Sequence, residues 1–252
     1  MASNAFNLEG KVALVTGANT GLGQGIALAL AEAGADIAAA GIVAATETEE
    51  KVKALGRRFI NIEANITSTE PADRSIAETL ARPGRLDILV NNAGLIRRAD
   101  AVEFSEKDWD DVMNVNIKGA FFMSQAAGKH FIAQGHGKII NIASMLSFQG
   151  GVRVPSYTAS KSGIAGITRL LANEWAQKGV NINAIAPGYM ATDNTAQLRA
   201  DADRNKAILD RIPAARWGEP ADLGGTAVFL ASRASDYVNG AVIPVDGGWL
   251  AR

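Results

Sequence analysis

The sequence predicts one α/β domain with a doubly wound, seven-stranded parallel sheet and helices on both faces. Two observations support this prediction. Seven short runs are apolar throughout instead of alternating, which is typical of parallel strands covered on both sides. Longer helical patterns separate these runs, so each strand is expected to reach the next by a right-handed crossover. At 252 residues and 48% hydrophobic composition, the chain is long enough to bury one such core.

The predicted strands are, in chain order, KVALVTG, DIAAAG, RRFINIE, LDILVNNAG, GKIINIAS, VNINAIAPG and GAVIPVDGG. Helices are predicted over residues 21–33, 47–56, 69–82, 106–134, 155–178 and 219–231, several of them behind a Ser, Thr or Asp cap. Residues 188–213 depart from this alternation. Because they follow the carboxyl end of a strand, where ligands bind in such sheets, they are predicted to form a helical substrate lid. No repeat or linker divides the chain, so residues 1–252 are interpreted as a single domain.

The composition argues against several classes of protein. Acidic and basic residues are interspersed and the formal net charge is −1, which gives no electrostatic footprint for nucleic acid or a membrane. There is no cysteine, so disulfides and thiolate sites are excluded. His130 and His136 are expected near a helix end, and no metal site is expected. Without an apolar run of ~20 residues or a signal-like start in MASNAFNLEG, the protein is expected to be soluble and cytoplasmic.

A glycine-rich turn, TGANTGLG, joins the first predicted strand to the first helix. Gly17, Gly21 and Gly23 leave the backbone free of side chains, and the helix beyond Leu22 offers unpaired N–H groups to a pyrophosphate. Tight packing alone would also explain three glycines. Strand, turn and helix in this order are nevertheless typical of the Rossmann dinucleotide-binding fold.

Polar residues at the ends of two strands and the start of a helix can carry chemistry. Tyr157 and Lys161 lie four residues apart at the start of a helix, so they share one face. The ammonium group favours the phenolate, and we expect a lowered pKa for Tyr157, toward use as an acid or base. Alone, this pair would be an ordinary helix surface. However, Ser144 ends the strand GKIINIAS, where it can meet a substrate oxygen, and NNAG at 91–94 ends the preceding strand.

Together these motifs resemble the short-chain dehydrogenase/reductase family over essentially the whole chain. The matching pieces are TGANTGLG, NNAG, NVN, NIAS, YTASK, PGYMAT and VDGGW. The resemblance implies an NAD(P)-dependent oxidoreductase in which Tyr157 is the general acid/base and Lys161 binds the nicotinamide ribose. It also implies that Ser144 orients the reacting oxygen and that Asn116 holds a water that relays protons from Lys161.

The same resemblance implies the contacts to the cofactor. Thr192 is expected to touch the nicotinamide carboxamide and Ile66 to flank the adenine. Asn65 stands where the family usually has Asp, and it keeps a side-chain acceptor without the charge. The full expected set is Gly17, Asn19, Thr20, Gly21, Leu22, Gly23, Gly41, Ile42, Asn65, Ile66, Asn92, Ala93, Gly94, Tyr157, Lys161, Pro187, Gly188 and Thr192.

The second predicted strand lacks the acid that usually binds the adenosine ribose. It ends at Gly41 and Ile42, whereas Asp36 lies at its other end, roughly 17 Å away at ~3.3 Å per residue. The positions that the family uses to bind a 2′-phosphate include Asn19 and Thr20, and none of them holds Arg or Lys. NAD is therefore favoured over NADP, held by backbone and neutral contacts.

Within the family, the loops most resemble those of dehydrogenases that act on keto-deoxy sugar acids from pectin or alginate breakdown. A sugar acid carries a carboxylate, which arginine binds with two parallel hydrogen bonds. Arg153 is the first candidate for this contact, and Arg97 and Arg98 are the second. Further expected substrate contacts are Ser144, Met145, Gln149, Tyr189 and Asn194.

Two alternative functions are open from the sequence. One is a dehydrogenase of another polyol, of gluconate or of a hydrophobic ketone such as a steroid. The other is a non-catalytic regulator that senses the nucleotide, although such proteins typically lose the tyrosine or lysine. A homotetramer is predicted because the family is commonly tetrameric and because Trp249 and Leu250 would be exposed in a monomer.

Overall fold

The computed structural model describes residues 4–251 and confirms the predicted fold class. Within these residues, seven strands form one sheet in the order β3-β2-β1-β4-β5-β6-β7, and all neighbours are parallel. The strands are β1 Val12–Thr16, β2 Asp36–Gly41, β3 Phe59–Glu63, β4 Ile88–Asn91, β5 Gly137–Ile142, β6 Val180–Pro187 and β7 Val242–Val245. Strand order reverses between β1 and β4, where a crevice is expected at the carboxyl ends.

Helices connect successive strands. In the part of the chain that the structure describes they are α1 Gly21–Glu32, α2 Thr46–Ala54, α3 Glu70–Ala81, α4 Glu106–Met113, α5 Ala120–Gln134, α6 Pro155–Trp175, α7 Ala196–Ala200, α8 Ala202–Arg211 and α9 Gly224–Ala231. The predicted lid contains α7 and α8. None of the helices in residues 4–251 is both long and apolar enough to cross a membrane.

The helices cover both faces of the sheet. Alternate residues of β1 point to opposite sides: Ala13 and Val15 pack with α1, α2 and α9, whereas Leu14 packs with α3, α5 and α6. The middle strands are buried along their length, which explains why their sequences are apolar without alternation.

The predicted helix 106–134 is interrupted between α4 and α5. Asn114–Gly119 form a π-helical turn. The hydrophobic pattern does not reveal it, because the extra residue leaves the apolar character of the segment unchanged. Two close contacts surround the turn. Asn116 bonds the backbone of Leu95, and a Cβ added to Gly119 would come within 2.7 Å of the Ile66 carbonyl oxygen.

Asp87 joins β1 to the segment before β4 at the amino ends of the strands. Its carboxylate accepts hydrogen bonds from Val12 N (3.0 Å), Lys11 Nζ (3.1 Å) and Arg85 Nε (2.7 Å). Burial alone would raise the pKa of Asp87, but these partners, Arg85 first, reverse the effect and lower it.

The end of the chain packs under the lid. Trp249 is only 5% exposed; its ring lies 4.7 Å from that of Tyr189 and 4.0 Å from the guanidinium of Arg211 in α8. The expectation that Trp249 is exposed in a monomer is therefore wrong, because its own lid covers it. Leu250 is half-buried in the same cluster.

Candidate active site

The carboxyl ends of the central strands meet at one edge of the sheet, beside the point where strand order reverses. β1 leads into the glycine-rich turn, and β4 leads into residues 92–94. β5 ends two residues before Ser144, and β6 ends at Pro187, which is followed by Gly188. The sequence motifs singled out above thus share one crevice.

The glycine-rich turn is held in shape from β4. Gly17 has φ +65°, a conformation that favours glycine. Asn92 Nδ2 donates to Thr16 O (2.9 Å) and to Gly17 O (3.0 Å). A Cβ on Gly23 would lie 2.1 Å from Gly17 O, so this glycine is required for packing. No side chain caps α1, which begins at Gly21, so its first N–H groups suit a phosphate.

The end of β2 carries no acid. Gly41 ends the strand, and Ile42 and Val43 follow it with 72% and 58% of their surface exposed. Asp36, at the other end, is paired with Arg58 Nε at 2.7 Å. The adenosine edge of the crevice is therefore neutral and apolar at this position.

Asn65 and Ile66 follow β3 at the same edge. Asn65 Oδ1 accepts hydrogen bonds from Thr67 N (3.2 Å) and Thr67 Oγ1 (2.8 Å), so its acceptor already has local donors. Ile66 is half-buried and packs against Gly119 of the π turn. Ile66 thus offers an apolar surface, and Asn65 a shared acceptor.

Ser144, Tyr157 and Lys161 come together at the ends of β5 and α6. Ser144 Oγ accepts from Leu146 N (3.2 Å) and is hydrogen-bonded to Tyr157. Tyr157 is half-buried in the first turn of α6. Lys161, 5% exposed, lies one turn further; its Nζ donates to Ile142 O (2.6 Å) and is 5.6 Å from the centroid of the Tyr157 ring.

The two titratable groups of this cluster have shifted pKa values. Burial raises the pKa of Tyr157 above its ordinary value, and the hydrogen bond with Ser144 and the charge of Arg98 only partly oppose it. Burial lowers the pKa of Lys161 to about 8. The prediction of a lowered Tyr157 pKa is therefore wrong for this structure, because burial outweighs the nearby charges. Tyr157 keeps its proton at neutral pH.

Asn116 lies in the π turn, between the segment after β4 and α6. Its Oδ1 accepts from Leu95 N (2.8 Å), and its Nδ2 donates to Leu95 O (2.9 Å) and Ser160 Oγ (3.2 Å). Gly94 packs closely beside it, since a Cβ there would be 3.2 Å from Asn116 Oδ1. The side chain joins the NNAG loop to the helix that carries Tyr157.

Two of the three candidate arginines are already paired. Arg153 Nε lies 2.9 Å from Asp100 Oδ1, and its side chain is 61% exposed at the rim. Arg97 lies 3.3 Å from Asp108 and 3.4 Å from Asp111 of α4. Both arginines sit in ion pairs that a substrate carboxylate would have to displace.

Arg98 has different surroundings. Its Nη2 donates to Asn194 O of the lid (3.2 Å), and its charge lowers the pKa of Tyr157. Among residues 4–251, no carboxylate lies within ion-pair distance of Arg98. The sequence ranks it below Arg153 because ion pairs between separate loops leave no sequence signal.

Three further predicted contacts on the lid side are Thr192, Met145 and Gln149. The Thr192 methyl faces the glycine-rich turn, 3.7 Å from a Cβ placed on Gly21, and its side chain also caps a short 3₁₀ turn. Met145 is buried beside Trp249, and Gln149 Oε1 accepts a long hydrogen bond from an arginine of α8 (3.5 Å).

A cavity of about 600 Å³ lies at the opposite edge of the sheet, at the amino ends of the strands. Among the residues that line it, Lys11 forms an ion pair with Asp87 and Lys138 forms one with Asp236. None of the predicted site residues borders this cavity, so we place the chemistry at the other edge. In the described part of the chain, no group of three or more His, Asp or Glu side chains is placed to hold a metal.

The fold and the arrangement of Ser144, Tyr157 and Lys161 define an oxidoreductase that uses NAD(P). A family described as Enoyl-(Acyl carrier protein) reductase matches residues 17–250. The chain belongs to the short-chain dehydrogenase/reductase family.

Relatives are similar over their full length. The 2-dehydro-3-deoxy-D-gluconate 5-dehydrogenase of Escherichia coli is 69% identical, and the match covers 100% of both chains. The structure of a putative 2-deoxy-D-gluconate 3-dehydrogenase from Agrobacterium tumefaciens with bound NADP is 58% identical with a TM-score of 0.95, covering 99% of this chain and 100% of that one. A gluconate 5-dehydrogenase from Burkholderia cenocepacia, solved with NADP and tartrate, is 38% identical with a TM-score of 0.95 and 100% coverage of both.

Proposed function

We propose that the protein interconverts a secondary alcohol and a ketone on a keto-deoxy sugar acid, the reaction of 2-dehydro-3-deoxy-D-gluconate 5-dehydrogenase. The observation that carries this proposal is Arg98, an arginine that has no carboxylate partner among residues 4–251 and whose charge acts on Tyr157. The 69% identity to the Escherichia coli enzyme supports the same substrate class. Such acids arise when pectin or alginate is degraded.

The mechanism follows from the positions of the catalytic side chains. When bound, the nicotinamide cofactor accepts or supplies the hydride. In alcohol oxidation, Tyr157 Oη takes the substrate hydroxyl proton as the C–H bond of the same carbon breaks; in ketone reduction it returns this proton. Ser144 donates a hydrogen bond to the reacting oxygen, and the ammonium group of Lys161 lies 5.6 Å from the centroid of the phenol ring.

The direction of the Tyr157 pKa shift sets the pH dependence of the two directions. Because its pKa is raised, the phenol is protonated at neutral pH and is ready to donate to a ketone. Alcohol oxidation needs the phenolate, so its rate rises with pH.

Arg98 is the proposed anchor for the substrate carboxylate. It lies in the segment after β4, and its bond to Asn194 O ties it to the lid. A carboxylate bound there accepts two parallel hydrogen bonds from the guanidinium, beside the carbonyl oxygen of Asn194. Anchor and proton donor then act on the same small molecule from two sides.

Replacing Arg98 by Leu is expected to lower kcat/KM for 2-dehydro-3-deoxy-D-gluconate by about 10- to 100-fold, the equivalent of one charge-assisted hydrogen-bonded contact. The rise of the oxidation rate with pH is expected to move to higher pH, because a charge that lowers the Tyr157 pKa has been removed. Steady-state kinetics from pH 6 to 10 measures both effects.

Arg153→Leu is the matched comparison, since it removes an arginine that is already paired with Asp100. A larger loss in that variant than in Arg98→Leu would identify Arg153 as the anchor. If neither variant distinguishes acids from neutral ketones, the sugar-acid assignment itself fails. D-gluconate and a steroid ketone in the same panel test the alternative substrates.

We propose that NAD is preferred over NADP, though weakly. No cation stands at Asn19, Thr20, Gly41 or Ile42 to bind a 2′-phosphate. The Agrobacterium relative was solved with NADP, which fits a site that discriminates little.

Gly41→Asp is expected to raise the ratio of kcat/KM for NAD over NADP by about tenfold, because a carboxylate binds the ribose hydroxyls and repels a 2′-phosphate. A Cβ at Gly41 has room, its nearest neighbour being Val43 O at 3.7 Å. Gly41→Ala is the control without charge. A wild-type ratio that clearly favours NADP would overturn the preference.

We also propose a homotetramer in the cytoplasm that needs neither nucleic acid nor membrane. The family resemblance supports the tetramer. Trp249 gives no support for a tetramer, because it is buried. Leu170 of α6 and Trp109 of α4 are 48% and 40% exposed and offer apolar surface to another subunit.

A further inference from the structure

A continuous chain of hydrogen bonds runs from Leu95, just after the NNAG loop, to α6 through the buried side chain of Ser160. Asn116 Nδ2 donates to Ser160 Oγ (3.2 Å), and Ser160 Oγ donates to Tyr157 O (2.9 Å). At its other end, Asn116 is bonded to both backbone polar groups of Leu95. Ser160 is therefore the point at which the π turn is attached to α6.

The directions of these bonds are fixed. A serine hydroxyl has one proton, and in Ser160 it is donated to Tyr157 O, so the lone pairs are left for Asn116. An asparagine amide has two protons, and Asn116 donates one to Leu95 O and one to Ser160. Asn116 is 2% exposed, so water does not replace a lost partner freely.

The π turn depends on such attachments. A π-helical turn is less favourable than the α-helix on either side and persists only where its surroundings hold it. The side chain of Asn116 supplies that hold, with bonds to the loop at Leu95 and to α6 at Ser160. Without the second bond, an Asn116 N–H is left buried and unpaired, and the turn is free to shift toward α-helical register.

A second serine on the same helix provides a contrast. Ser156 is, like Ser160, 0% exposed, and it lies four residues earlier in α6. Its Oγ has no hydrogen-bond partner. Of these two equally buried serines, only Ser160 is linked to the π turn.

We propose that Ser160 is a positioning residue for the reaction: through its bond to Asn116 it fixes the π turn relative to Tyr157 and Lys161. It does not touch the reacting atoms. Its effect on catalysis passes through Asn116, so the inference rests on the role that the family resemblance implies for Asn116, to hold a water that relays protons from Lys161, and not on the identity of the sugar acid.

Ser160→Ala is expected to lower kcat about tenfold, the rate equivalent of leaving one buried donor unpaired, while the KM for NAD changes less than about twofold. The assay is the oxidation of 2-dehydro-3-deoxy-D-gluconate. Ser156→Ala, which removes a hydroxyl without partners, is expected to keep the wild-type kcat. The double variant Asn116→Ala/Ser160→Ala is expected to be no slower than Asn116→Ala alone.

Hydrogen exchange supplies a readout that needs no substrate. The backbone amides of Asn114–Gly119 are expected to exchange at least about tenfold faster in Ser160→Ala and at the wild-type rate in Ser156→Ala. Should Ser160→Ala fold poorly, Ser160→Cys fills the site with a slightly larger atom and weakens the hydrogen bond, and the same changes are expected in smaller size.

The possible results separate the two proposals. A wild-type kcat and wild-type exchange in Ser160→Ala, together with a damaged Asn116→Ala, overturn the inference alone. Additive losses in the double variant also overturn it, because Ser160 then acts independently of Asn116. A fully active Asn116→Ala removes the proposed role of Asn116, and the role of Ser160 with it.

Discussion

Replacing Tyr157 by Phe is expected to reduce kcat by about 1,000-fold or more in both directions, within the range for loss of a general acid/base together with its hydrogen bond. The phenol hydroxyl is the group at the site that is hydrogen-bonded to Ser144 and faces the charge of Arg98. Phe keeps the ring, so the packing at the start of α6 is retained. Cofactor affinity is therefore expected to change less than about threefold.

The measurement is absorbance at 340 nm under saturating substrate, with cofactor affinity followed by tryptophan fluorescence. Tyr237→Phe is a matched control, because Tyr237 is fully exposed and borders only the cavity at the amino ends of the strands. Turnover near the wild-type rate in Tyr157→Phe would remove the central assignment. A similar loss in Tyr237→Phe would point to a general effect of the substitution.

Lys161→Met is expected to lower kcat by about 100-fold or more and, unlike Tyr157→Phe, to weaken cofactor binding, because the ammonium proposed to bind the ribose is lost. The same change is expected to stabilise the fold at pH 7. Burial lowers the pKa of Lys161 to about 8, because the charged ammonium group is less stable in the folded protein than in water. A shift from 10.5 to about 8 corresponds to roughly 3 kcal/mol, reduced by the lost bond to Ile142 O.

The difference in stability between Lys161→Met and the wild type is expected to depend on pH. Below pH 8, Lys161 is protonated in both the folded and unfolded states, and its burial opposes folding in full. Between pH 8 and 10.5 the unfolded chain binds the extra proton, so wild-type stability from this group rises with pH. The thermal midpoint of Lys161→Met should thus exceed the wild-type value at pH 7, with the difference shrinking toward pH 10. A lower midpoint at pH 7 would contradict this account.

The proximity of Ser144, Tyr157 and Lys161 could be predicted because it depends on local motifs. Tyr157 and Lys161 are one helical turn apart, and Ser144 stands at a strand end, so sequence spacing and strand topology suffice to bring them together. Arg98 and Arg153 could not be ranked in this way. Their difference is an ion pair to Asp100, between loops that are distant in sequence.

The same limit applies to the π turn and to the end of the chain. The apolar pattern through 106–134 is that of a helix, whereas the interruption is marked by contacts with distant segments, such as those of Asn116 with Leu95 and Ser160. From the sequence, Trp249 is expected to be exposed after the last strand, because the sequence does not show that α8 packs against it. The direction of the Tyr157 pKa shift was missed for a related reason, since burial is a property of the whole pocket.

The central position of β1 has a consequence for how the protein is made. β1 can pair with β2 soon after both strands have been synthesised. Its other edge stays unpaired until β4 is made. The hydrogen bond from Val12 N to Asp87, just before β4, joins residues 75 positions apart. Closing so long a loop is slow compared with local helix formation. Until then the nascent chain presents an open, apolar strand edge, to which a second copy can add. Until β4 has been made, this open edge is therefore expected to be a site of aggregation in the nascent chain.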